Sequence, residues 1–262
     1  MDLHAPHAVL PDARTDSGLA AVHVAGLARR NGWRAEQYGT SALGQPLIAW
    51  WPTTDRPTRI VWAAIHGEEA VTLQAAHQAL RQVHADDACA VVVPVANPDG
   101  VLVGTRQNAR GVDLNRNFPG ANWSSKPSPT YWPTSTVRTS ERRSQLSSPG
   151  DAPGSEPETR ALMSLVEQVT PELVIDLHTP LECVLAFSDA ALPIAEHLAE
   201  PASLPVLRQL AGPTPGDSAT WCESAGATAV TYELELGPFP ALWARHAEAI
   251  VRCIVERRTS EA

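Results

Sequence analysis

With 262 residues, 44% of them hydrophobic, the chain can bury one substantial core and falls within the range of a single large α/β domain, expected to span 1–262. A formal net charge of −9 offers no basic surface to nucleic acid or anionic lipid, and no apolar run approaches the roughly 18 residues that span a bilayer. The opening MDLHAPHAVLPDARTD lacks the charged and apolar regions of a secretory signal, so a cytoplasmic chain is expected.

In chain order, a helix is expected over 18–30, then strands at 46–51 (PLIAWW) and 59–65 (RIVWAAI). A helix over 70–84 and a strand at 88–96 (ACAVVVPVA) follow. After a long interval come a helix over 156–169, a strand at 172–178 (ELVIDLH), a helix over 190–199, a strand at 227–236 (ATAVTYELEL) and a helix over 240–257. Nearly continuous apolar strands alternating with helices suit a sheet covered on both faces. In SEPETRALMSLVEQV, Ser155 and Glu158 have the spacing of a capping box, with Pro157 tolerated in the first turn. The Pro-, Ser- and Thr-rich segment 119–154 is too long for an ordinary connection and reads as an extended surface loop of the kind that flanks binding sites.

Several reaction classes drop out. The four cysteines (Cys89, Cys183, Cys222 and Cys253) show no CxxC spacing, which argues for buried free thiols rather than a zinc ribbon or a redox pair. The single lysine, Lys126, sits in a Pro/Ser-rich stretch unsuited to a P-loop or a buried Schiff base. GDSAT at 216–220 lacks the second glycine of a nucleophile elbow.

The polar residues at strand ends carry the functional signal. Where 59–65 stops, His66, Gly67, Glu68 and Glu69 admit three readings: acids opposing a helix dipole, two metal ligands three apart around a glycine, or a catalytic histidine with its orienting carboxylate. His178 ends the strand at 172–178, and Glu233 and Glu235 lie within 227–236. A lone strand-end histidine is more often a hydrogen-bonded structural residue, but open α/β sheets bind ligands at such ends and here three converge. Two imidazoles and one carboxylate provide the protein ligands of a catalytic zinc, and a further glutamate can serve as base. Between these ends Asn97, Asp99 and Gly100 make a plausible turn, while Arg116, flanked by Asn115 and Asn117, is suited to gripping a carboxylate.

His66 and Glu69, NPDG at 97–100, the run from Arg106 to Pro119, the strand-end His178 and TYEL around Glu233 together resemble the zinc carboxypeptidases of the carboxypeptidase A type. The resemblance covers most of the chain and is strongest toward the amidases of that family that act on murein peptides, through EQYGTSALGQPLIAW, PGSEPETRAL, LHTPLECV and PTPGDSATWC. It implies an α/β single domain on a mixed, largely parallel twisted sheet of about eight strands with helices on both faces. It further implies one zinc ion per chain on His66, Glu69 and His178, Glu233 as base, Arg106 at the oxyanion, and Asn115 with Arg116 at the terminal carboxylate. The reaction implied is hydrolysis between γ-D-glutamate and meso-diaminopimelate, with a small murein peptide as partner. The family's mobile tyrosine is absent: Gly212 stands in its place.

Because diaminopimelate carries a distal ammonium, Asp217, the only ionised residue of GDSATW, is expected to contact it; the alternative is a turn residue capping a local amide. Two other functions are weighed: a zinc deacylase of the aspartoacylase and succinylglutamate desuccinylase type, and a peptide-binding protein without turnover. NPDG and the SEPET segment favour the amidase over the deacylase, and an intact Glu233 argues against mere binding.

Overall fold

The computed structural model describes residues 31–132, 143–210 and 212–255, so the helix expected over 18–30 lies outside the described residues. The strands are β1 (Arg34–Thr40), β2 (Pro46–Trp51), β3 (Arg59–Ala63), β4 (Ala90–Val93), β5 (Ser128–Trp132), β6 (Arg143–Ser147), β7 (Leu173–His178), β8 (Cys183–Leu185), β9 (Val206–Leu207) and β10 (Thr228–Glu233). The helices are α1 (Ala70–Gln82), α2 (Pro98–Val103), α3 (Pro157–Val169), α4 (Leu192–Ala199), α5 (Ser218–Ser224) and α6 (Phe239–Val255).

Eight strands form one sheet in the order β1-β2-β4-β3-β7-β10-β8-β9, with β4, β3, β7 and β10 mutually parallel at its centre. The apolar runs occupy this centre because parallel strands are covered on both faces. Alternation along β3 sends Val61 and Ala63 to a core shared with α1, α4 and α6, and Ile60 and Trp62 to one shared with α3 and α5. The mixed sheet with helices on both faces is therefore the expected one. The ends of β3, β7 and β10 all open at one edge, which brings their C-terminal residues together.

Strands of the large sheet that the sequence pattern did not mark are polar or very short. β1 (RAEQYGT) mixes exposed and half-buried residues at the sheet edge, and β8 and β9 have three and two residues. The expected loop over 119–154 contains the antiparallel β5–β6 hairpin, which corrects its reading as a wholly extended loop. The capping box is also corrected. α3 starts at Pro157 with Glu156 as N-cap, Ser155 Oγ donates to the Glu156 carboxylate, and Glu158 accepts from Ala42 N (2.9 Å) and Asn108 Nδ2 (3.1 Å). Tertiary donors outcompete the local pairing because Glu158 is buried and those amides need an acceptor.

Candidate metal centre

β3 ends in a tight turn held from several sides. Ala64 has φ 51°, its N–H donates to Thr72 Oγ1 (3.0 Å), and Asn97 Nδ2 donates to the Ile65 carbonyl (3.1 Å). Asn97 also caps α2, accepting from Gly100 N at 2.9 Å, so NPDG acts as a brace. The brace passes so close that a Cβ on Gly67 would sit 2.0 Å from the Gly100 carbonyl carbon, which is why only glycine fits between the two prospective ligands.

The turn aims His66 and Glu69 inward. The Glu69 carboxylate makes no cap bond to its own helix, against the helix-dipole reading, and instead faces two imidazoles: Oε1 is 2.7 Å from His66 Nδ1 and Oε2 is 3.0 Å from His178 Nδ1. The three side chains are buried and their ligand atoms lie within 4.8 Å of one another. Among the described residues this is the one such trio of histidine, cysteine or acid groups. Burial opposes charge on Glu69, but His66 and His178 outweigh it and hold the carboxyl well below its usual range.

The far nitrogens are also held. His66 Nε2 lies 3.2 Å from Asp113 Oδ1, and His178 Nε2 lies 3.0 Å from Asp176 Oδ2. With each Nε2 held by a carboxylate, Nδ1 is the nitrogen that each ring turns toward Glu69, and a shared ion would take the Nδ1 lone pairs on displacing the protons that bond Glu69 without it. This donor set of two neutral imidazole nitrogens and a carboxylate, without thiolate, fits zinc with a position open for substrate or water.

Glu233 stands beside the trio. It is the register partner of His178 across β10 and β7, so both side chains leave the same face at the same level. Its Oε2 accepts from Leu181 N (3.2 Å), and burial pushes its carboxyl up to about 7 against the opposing pull of His178. Glu235 lies beyond the strand end, paired with His246 and with Arg245 (3.1 Å).

Arg106, Asn115 and Arg116 reach the same cleft. Arg106 Nε donates to Asp113 Oδ2 (2.7 Å), and its Nη1 lies 3.3 Å from His66 Nδ1. Burial works against its charge, but Asp113 and Glu69 more than offset this and raise its pKa. Arg116 donates to the Asn115 carbonyl (2.5 Å) and to Ser128 Oγ (3.3 Å); among the described residues no carboxylate lies within ion-pair distance of it. Burial accordingly lowers its pKa, an electrostatic deficit that an incoming carboxylate corrects. The walls beyond are apolar, with Pro180, Leu181, Leu185 and Phe187 facing the cleft.

Asp217 lines the cleft as N-cap of α5. Oδ1 accepts from Thr220 N (2.8 Å), and Oδ2 accepts from Thr220 Oγ1 (2.9 Å) and Asn122 Nδ2 (3.1 Å). Both oxygens are thus engaged, which favours the capping alternative over contact with an ammonium. A side chain at Gly212 would meet open space. Asp113 and Asp176 were missed as members of the site. Asp176 could have been found, since two residues before His178 on a strand is the same face.

The zinc carboxypeptidase family model matches residues 30–235. Murein peptide amidase A of Escherichia coli (strain K12) is 38% identical over 200 residues, 76% of this chain and 80% of that protein. The enzyme of the same name from Vibrio campbellii is 35% identical over 201 residues, 75% of this chain and 77% of that protein. The crystal structure of murein-tripeptide amidase MpaA from Escherichia coli O157 superposes with a TM-score of 0.75 at 33% identity, covering 86% of this chain and 93% of that one. Carboxypeptidase A from Helicoverpa armigera shares the fold, with a TM-score of 0.68 at 20% identity over 89% of this chain and 70% of that one.

Proposed function

The chain belongs to the zinc carboxypeptidase family, and from that premise we propose that this zinc hydrolase cleaves the bond between γ-D-glutamate and meso-diaminopimelate in murein peptides. The observation that carries the reading is the convergence of His66, Glu69 and His178 with Glu233 beside them and, in the same cleft, a buried Arg116 with no ion-pair partner among the described residues. The relatives' substrate supports it: both amidases cover three quarters of the chain.

Zinc, when bound by His66, Glu69 and His178, supplies Lewis acidity where the scissile carbonyl arrives. The chain's own groups do the rest. Arg116, with Asn115, holds the free carboxylate of the leaving diaminopimelate by paired charge-assisted hydrogen bonds. Glu233, its proton affinity raised by burial, takes a proton from the attacking water and returns it to the leaving nitrogen as the C–N bond breaks. Arg106 faces the negative charge that develops on the carbonyl oxygen. The apolar walls exclude bulk water and strengthen each of these interactions.

We place the reaction in the cytoplasm, on small peptides from cell-wall turnover; no helix among the described residues is long and apolar enough to cross a membrane. Incubating the zinc-loaded chain with the tripeptide L-Ala-γ-D-Glu-meso-diaminopimelate tests the reading. Release of free diaminopimelate is expected; an intact tripeptide beside folded, zinc-loaded protein contradicts it.

A further inference from the structure

Asp176 has no part in the chemistry above, yet it touches the metal centre. It is 2% exposed on β7, a strand buried at all six positions. Its Oδ2 lies 3.0 Å from His178 Nε2 and accepts from Ser218 Oγ at 2.8 Å. Among the described residues its buried Oδ1 has no hydrogen-bond partner. A carboxylate kept in the interior with one oxygen orphaned destabilises the fold relative to an apolar residue there. Folding therefore does not explain the acid.

Its neighbours do. Asp113, the equivalent contact of His66, shares its charge with Arg106. Among the described residues Asp176 has only a neutral hydroxyl and the imidazole as partners, so its charge falls on His178. Ser218 is the first residue of α5 and its N–H donates to Asn115 Oδ1 (2.8 Å), which fixes the hydroxyl that aims the carboxylate. We propose that Asp176 is a positioning residue of the metal centre: it accepts from His178 Nε2, fixes the tautomer whose Nδ1 lone pair faces the ion, and ties that ligand through Ser218 to the helix lining the cleft. Loss of such a partner typically weakens metal binding by about 10- to 100-fold.

The inference rests on His178 being a zinc ligand, so the two are tested separately. Zinc affinity of the full chain is measured by competition with a chromogenic chelator for the parent, Asp176→Asn, Asp176→Ala and His178→Ala, with thermal melts of each in the metal-free and zinc-loaded states. Asp176→Asn keeps the shape and removes the charge. It is expected to bind zinc about 10-fold or more weaker, with a metal-free melting temperature at or above the parent's. Asp176→Ala is expected to lose at least as much affinity, and His178→Ala to lose stoichiometric zinc. Parental zinc affinity in a folded Asp176→Asn overturns the proposal, as does a lowered metal-free melting temperature with an unchanged rise on adding zinc, the signature of a purely structural acid. Full zinc occupancy in His178→Ala overturns the ligand assignment itself.

Discussion

Glu233 and Glu235 are two residues apart and separate cleanly by environment. Glu233 is buried at the level of His178, and Glu235 is engaged by His246 and Arg245 beyond the strand end. Glu233→Gln is expected to keep zinc and lose turnover by roughly two or more orders of magnitude, as for a general acid-base group. Glu235→Gln is expected to change it far less; the reverse ranking in a steady-state assay contradicts the assignment. Arg116→Gln is expected to raise KM for a peptide with a free terminal carboxylate by about tenfold or more, the worth of a charged hydrogen bond, and to leave a C-terminally amidated peptide little changed. Equal effects on both peptides remove Arg116 from the carboxylate site. For Asp217, Asp217→Ala is expected to cost about 1 kcal/mol of stability through loss of the α5 cap, measurable by chemical denaturation. The proposed ligands and base were legible in the sequence because His66 and Glu69 follow an apolar strand and His178 and Glu233 end two others, while the choice of Glu233 over Glu235 came from the family resemblance. Asp217 was legible only as two alternatives, because its cap on Thr220 is local whereas its second oxygen is engaged in part by Asn122, a residue 95 positions away.

At the level of elements, the β3–α1 turn decides whether ligands exist at all. Gly67→Ala places a methyl group 2.0 Å from the backbone of α2, so the turn must open. Both zinc occupancy and stability are expected to fall together in that variant; normal zinc content in a folded Gly67→Ala contradicts the close approach. α1 also carries His77, whose pKa burial lowers from 6.5 to about 4. The unfolded chain therefore takes up a proton that the folded chain resists, and the stability this histidine contributes is full above about 6.5 and lost as pH falls toward about 4. Unfolding free energy is accordingly expected to fall less steeply with acid in His77→Gln than in the parent; identical slopes contradict it. The long apolar strands and α1, α3, α4 and α6 could be read to within about three residues wherever they are described, because period and burial agree. β1, β8 and β9 could not, since an edge strand with a polar face and strands of two or three residues owe their existence to partners rather than to local pattern.

Over the whole molecule, the proposed zinc ligation would join the turn after β3 to the end of β7, two segments more than a hundred residues apart that pack around Glu69. Binding to the folded state alone adds stability with free metal concentration, so chelation is expected to lower the melting temperature and added zinc to restore it. An unchanged melting temperature after verified zinc removal contradicts a metal joining these elements. The sheet order was legible only as a class. Which strand ends meet depends on the crossovers that place β3, β7 and β10 side by side, and these were reached through the resemblance rather than from any one motif.

The central claim is tested most directly by measuring diaminopimelate released from L-Ala-γ-D-Glu-meso-diaminopimelate by the zinc-loaded chain, with an N-acyl amino acid assayed alongside. The predicted result is stoichiometric release from the tripeptide that stops on chelation, returns with zinc and is absent in Glu233→Gln, with the N-acyl amino acid left intact. Cleavage of the N-acyl amino acid with the tripeptide untouched contradicts it.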